Sequence, residues 1–275
     1  MLKQVVLLSL VIGFGGGLLG AWSHSLIAPV GGPTEQPTAT PDPSSVLTSS
    51  TINDASFGDA VERYLLAHPE VLDRVSAALA SQKEEARRTR DRELIASNQD
   101  AIFSSPNDPV LGNPEGDVTL VELFDYNCTY CKSSMPEIAA LLAEDKQLRL
   151  VLKEFPILSP GSVQAARVGV LVAKEGVDYW AFHEALLSGR GQVDGDAALK
   201  VAAALGLDAS SLQAELEAPE VTKVLDKNYE VADALGVTGT PTFIIGDEII
   251  SGAVGYEALR ERIKSVRECG RTSCD

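Results

Sequence analysis

The sequence predicts an α/β fold, on three observations. A β-branched and apolar run over residues 118–124, an apolar-patterned helix over about 131–142 and a second apolar run over 148–152 have the spacing of a parallel strand–helix–strand crossover. From 162 to 234 come helical patterns punctuated by Gly176, Gly191, Gly195, Gly206 and Pro219, with no convincing strand among them. Strand character returns at 242–245 and 248–250, joined by the hairpin signal Gly246-Asp247.

Composition narrows the class. At 275 residues and 45% apolar content the chain can bury a substantial core. A net charge of -16 and a pI near 4.6 would repel a nucleic-acid backbone, so nucleic acid is excluded as a partner. The four cysteines form two close pairs, Cys128 with Cys131 and Cys269 with Cys274. That is not the dense scatter of a small disulfide-stapled domain.

Residues 1–25 begin Met1, Leu2, Lys3, Gln4 and continue as an apolar run over 5–22. This is a secretory signal or a membrane anchor, and either predicts export. Ala21-Trp22-Ser23 is a poor cleavage site, and about 18 apolar residues are near the minimum that spans a bilayer. Gly15, Gly17 and Gly20 match a dinucleotide fingerprint but precede no βαβ unit, so the match is set aside. Residues 26–52, with Pro29, Pro33, Pro37, Pro41 and Pro43 among Thr, Ser and Gly, read as a linker.

Residues 53–103 form a helical arm, with Val61, Leu65, Leu72, Val75 and Leu79 at helical spacings and a break at His68-Pro69. The charged stretch from Lys83 to Glu93 suits a solvated helix that protrudes or lies on a partner chain. An oligomerisation stalk and a helix folded back on the body are the two readings of it. Prolines and glycines at 104–114 signal loops, and the main domain runs over 104–268 with its helical insertion at about 160–235. A final helix at 256–266 precedes the cysteine-bearing tail, 269–275.

The chemistry points to Cys128 and Cys131. Their C-x-x-C lies just past the carboxyl end of the first clear strand, at the start of a helix. Free N–H groups and the partial positive charge there stabilise a thiolate, which makes Cys128 the nucleophile and Cys131 the resolving thiol. A stable buried disulfide or half a zinc site is the alternative, but zinc requires a second matching pair, and Cys269 and Cys274 fit poorly. Thr240-Pro241 opens a strand after glycine punctuation. A cis bond there would leave the Thr240 backbone free to pair with an extended substrate.

Three motifs in order, F-D-Y-N-C-x-Y-C-K at 124–132, E-F-P-I-L at 154–158 and G-T-P-T-F at 239–243, resemble the DsbA-like thiol:disulfide oxidoreductases. The arm motif E-R-Y-L-L-A-H-P-E-V-L at 62–72 is similar to the ScsC or Com1-like subgroup. The resemblance implies a thioredoxin fold with an inserted helical domain, an active pair Cys128 and Cys131, and a cis-proline at Pro241. It further implies a buried charged pair of Glu122 and Lys153 below the thiols, which could relay the proton that Cys131 must lose. It also implies homo-oligomers, trimers included, through residues 53–103.

The expected reaction is exchange with cysteines of exported proteins in the periplasm, with an unidentified redox partner, no metal and no cofactor beyond the Cys128–Cys131 disulfide. Attachment to a membrane through residues 5–22 follows if that run is retained. The alternative is a non-catalytic tethered chaperone or metal-binding module on the same fold. Thr129-Tyr130 replaces the histidine-bearing dipeptide of the strongest oxidases, so Cys128 is expected to be less acidic than theirs, and oxidase, isomerase and reductase all stay open. Cys269 and Cys274 read as a local disulfide, with a relay to Cys128 as the minor reading. Asn127-Cys128-Thr129 matches a glycosylation acceptor, but a modified Asn127 would block the thiols. His183 reads as a packing residue without a role.

Overall fold

A computed structural model describes residues 54–274. The signal or anchor over 1–25 and the linker over 26–52 lie outside the described residues. The chain divides into the units Met1–Arg63 and Tyr64–Asp275, the first contributing the opening turns of α1 to what is described.

In chain order the elements are α1 (Asp54–Ala67), α2 (Glu70–Ser97), α3 (Gln99–Phe103), β1 (Val110–Gly112), β2 (Val118–Phe124), α4 (Thr129–Glu144) and β3 (Leu148–Glu154). There follow α5 (Pro160–Val172), α6 (Tyr179–Ser188), α7 (Gly195–Ala204), α8 (Ala209–Glu215), α9 (Pro219–Leu235), β4 (Thr242–Ile245), β5 (Glu248–Ser251) and α10 (Tyr256–Cys269). The strands form one sheet in the order β1-β3-β2-β4-β5. β2 and β3 are parallel, joined through α4, and the remaining pairs are antiparallel.

Alternation along the strands divides the core into two layers. Leu120, Phe124, Leu150 and Leu152 face one side, packing with Met135 and Ile138 of α4, with Leu259 and Ile263 of α10, and with the inserted helices. Val121, Leu123, Val151 and Ile244 face the other, against Ile95, Ile102, Val231 and Leu235. Both faces are covered, which is why β2 and β3 read as nearly continuous apolar runs.

One strand falls where the sequence signalled only loop. The three residues of β1 lie between Pro109 and Pro114, too few to show a period, and they form because β3 offers an edge, with Val110 opposite Val151. α3 is five residues long and anchored by the buried Ile102.

The charged stretch of α2 does not protrude. Arg87 bonds Asp91 at 2.9 Å, Glu248 at 3.3 Å and the Ile249 carbonyl at 3.3 Å, and Asp91 is 1% exposed. The helix docks on β5 because Arg87 finds partners there, Asp91 being held by Arg87 and Arg90 of the helix itself, while the apolar Leu72, Val75 and Leu79 remain exposed. Among the described residues no helix is long and apolar enough to cross a membrane.

Candidate active site

The site is built at the junction of β2 and α4. Cys128 occupies the N-cap of α4 in extended conformation (φ -77°, ψ 119°), and its sulfur accepts from the Cys131 N–H at 3.5 Å. Both cysteines are free thiols in this structure. Cys128 is 5% exposed and Cys131 is fully buried beneath it. The Thr240–Pro241 peptide is cis, and the Cys128 thiol lies 3.1 Å from the Thr240 carbonyl, to which it donates.

The two thiols are driven apart in acidity. A hydrogen bond from the Cys131 thiol holds Cys128 down at about 5 against the opposing effect of burial. The Thr240 side chain and the N–H groups of Cys131 and Tyr130 add smaller pulls in the same direction. Burial pushes the Cys131 thiol far up, and the bond it donates to Cys128 and the charge of Glu122 push the same way. One sulfur is thus ionised at neutral pH and its neighbour keeps its proton.

Glu122 is 1% exposed, and burial first, then the negative charge of Cys128, raises its carboxyl to about 8. The implied pair of Glu122 with Lys153 does not form. Across the parallel ladder Glu122 is opposite Leu152 and Leu123 is opposite Lys153, so Glu122 shares the thiol face with Leu120 and Phe124 while Lys153 points to the other layer. There Lys153 forms a buried ion pair with Asp108 and donates to the Ala101 carbonyl at 2.8 Å. A one-residue offset on a strand reverses the face, which motif matching does not register.

Glu122→Gln tests the raised carboxyl. The unfolded carboxyl ionises near 4.5 and the folded one near 8, so its contribution to stability falls as pH rises through that window. In the reduced protein the glutamine variant should lose this decline and gain roughly 3 kcal/mol relative to the native chain at pH 7. Urea unfolding at pH 5 and pH 7 measures it; equal pH dependence of the two proteins would contradict the placement of Glu122.

Two residues not singled out in the sequence hold the reactive turn. Asp125, 1% exposed, accepts from the N–H groups of Ile157 and Leu158 at 2.9 and 3.0 Å and from that of Asn127 at 2.8 Å. Its signal was the Asp-x-Asn pattern of an Asx turn just before the C-x-x-C. Behind the turn, Glu154 accepts from Tyr126 at 2.9 Å and Tyr179 at 3.0 Å, and burial raises its carboxyl well above the usual range. His183 is buried among the rings of Phe124, Tyr126, Tyr179 and Trp180 and held down at about 3 by that burial, a neutral packing residue.

Cys269 and Cys274 are joined as a disulfide on the tail. Arg267 bonds Asp145 at the far end of α4, which over 16 residues is about 24 Å from its N-terminus.

Residues 119–264 match the DSBA-like thioredoxin domain model, and residues 55–86 match the N-terminal domain of copper resistance protein ScsC. A thioredoxin-like oxidoreductase from Silicibacter pomeroyi superposes with a TM-score of 0.60 at 43% identity, over 62% of this chain and 99% of that one. Disulfide bond formation protein D of Bacillus subtilis is 25% identical over 182 residues, covering 60% of this chain and 81% of its own length. The sodium/proton antiporter NhaA 3 of Salinispora tropica is 29% identical over 183 residues, 64% of this chain but 28% of that protein. The chain therefore spans little more than a quarter of the first curated relatives it matches.

Proposed function

The chain belongs to the DSBA-like thioredoxin domain family, and on that premise we propose that it is a thiol:disulfide oxidoreductase acting on cysteines of exported proteins through Cys128 and Cys131. The observation that carries the reading is the opposed acidity of two thiols one helical turn apart, one ionised at the N-cap of α4 and one buried and protonated.

In the oxidising direction a client thiolate attacks Cys128 of the Cys128–Cys131 disulfide, and Cys131 leaves and takes a proton. A second client thiolate then attacks the mixed disulfide at the client sulfur. The client disulfide forms and Cys128 leaves as the stabilised thiolate, with two electrons moved to the enzyme. In the reducing direction Cys128 attacks a client disulfide and Cys131 must lose its proton to resolve the adduct. Glu122 bears on that step: once Cys128 is bonded to the client its negative charge is gone, so the smaller cause of the raised Glu122 carboxyl disappears while burial remains, and resolution should quicken as pH rises and the carboxylate that can take the proton forms.

With Cys128 near 5, the thiol lies between the roughly 3.5 of the strongest oxidase and the about 7 of thioredoxin. This supports an exchange activity of intermediate oxidising strength carried by the sulfur pair. Tyr130, Ile157 and Leu158 are exposed apolar side chains beside the thiols, a surface suited to extended client segments. The apolar run over 5–22 and the family support a periplasmic location, free or tethered.

Exchange with a fluorescent peptide disulfide tests the reading: native protein reduces it with a matching loss of two thiols, and Cys128→Ser does not. Retained exchange in the serine variant would end the assignment.

The arm supports self-association. Leu72, Val75 and Leu79 recur at spacings of three and four along one face of α2 and are about half exposed, the pattern of a seam that wants another helix. Changing all three to serine should convert an oligomer to a monomer in light scattering of the full chain while leaving peptide exchange intact. A native monomer would remove this part of the proposal.

A further inference from the structure

Asn127 precedes the reactive cysteine, and its amide reaches across to the helical insertion. Its Oδ1 accepts from the Val193 N–H at 2.7 Å, and its Nδ2 donates to the Val193 carbonyl at 2.8 Å and to Ser162 Oγ at 3.0 Å. Both amide protons and the oxygen are used, and the two main-chain groups of the buried Val193 are met by one side chain. The geometry suits an amide specifically, because a carboxylate would face the Val193 carbonyl with no proton to give. Ser162 is itself fully buried and fixed by Ser159 at the start of α5.

The same segment of the insertion is held a second time. Lys132, in the first turn of α4, donates to the carbonyls of Gly189 and Gly191 at 3.2 and 3.5 Å. The strap between α6 and α7 is therefore tied to residues on both sides of the C-x-x-C.

We propose that Asn127 is a positioning residue that fastens the reactive turn to the helical insertion through Val193 and Ser162, so that the seat of the insertion fixes where the Cys128 sulfur lies over the N-terminus of α4. The inference rests on Cys128 being the nucleophile. The sulfur must stay within reach of the Cys131 N–H and thiol to remain ionised, and the residue before it has little freedom while its amide is engaged.

The test is the thiolate titration of the reduced full chain, read by absorbance near 240 nm, together with exchange rate at pH 6 and melting temperature. Asn127→Ala should move the Cys128 midpoint from about 5 to about 6 and slow exchange at pH 6 about twofold, as the thiolate share falls from about nine-tenths to about half. Ser162→Ala, which removes one of the three bonds, should move both in the same direction by less, and it decides the matter if the first variant does not fold. A lowered melting temperature with unchanged midpoint and rate in the folded variants would show a merely structural residue and overturn the inference. A native chain without any exchange would instead remove the enzyme reading, and the inference with it.

Discussion

Cys131→Ser is expected to leave the first attack fast and stop turnover, so that the protein accumulates as a mixed disulfide with its client. The serine hydroxyl can still donate to the Cys128 sulfur, as the Cys131 thiol does, and the Cys131 N–H is unchanged, so the thiolate persists. What is lost is the buried sulfur that must attack the adduct. Turnover should fall by on the order of a thousandfold, with the adduct visible on a non-reducing gel and by mass. Cys131→Ala separates the two roles: it also removes the donor, so the Cys128 midpoint should rise and adduct formation should slow. Equal adduct rates in the two variants would show that the Cys131 thiol does not stabilise the Cys128 thiolate.

Gly169→Ala is expected to destabilise the fold strongly although it adds a single methyl group. A Cβ at this position in α5 would collide with Glu154 Oε1 and lie 3.1 Å from the Tyr126 hydroxyl. Glu154 cannot swing away cheaply, because it is 3% exposed and held by Tyr126 and Tyr179. Alanine gains about 1 kcal/mol of helix propensity over glycine, but overpacking costs about 1–3 kcal/mol and a disrupted buried bond to a carboxyl about 1.5–3 kcal/mol more. The net loss should be roughly 3 kcal/mol in denaturant unfolding. A stabilised variant would show that Glu154 moves freely.

Much of the fold was legible because its strands and helices carry their own periods. The run 118–124 and the segment 242–245 coincide with β2 and β4, since a strand buried on both faces reads as an apolar run in any context. His68-Pro69 separates α1 from α2 as the proline requires. The element that escaped, β1, exists through tertiary contact: Val110 has an edge strand to join.

The site divides along the same line. Cys128 and Cys131 were readable from spacing and from the strand before them, because the helix N-terminus that ionises a thiol is a local feature. Lys153 was misassigned because its partner depends on which face of β3 it occupies and on Asp108, 45 residues away. The docked charges of α2 were unreadable for a related reason: Glu248 and the Ile249 carbonyl lie more than 160 residues along the chain from Arg87. Asn127 carried a misleading glycosylation match, whereas its amide is spent on Val193 and Ser162.

The account stands most directly on the acidity of one sulfur in the reduced protein. Alkylation by iodoacetamide across pH 3–9, with the modified residue located by mass spectrometry, should show a single reactive thiol, Cys128, whose rate reaches half its plateau near pH 5, while Cys131 stays unmodified. A half-maximal rate near the ordinary thiol value of about 8.5, or modification of Cys131 first, would contradict it.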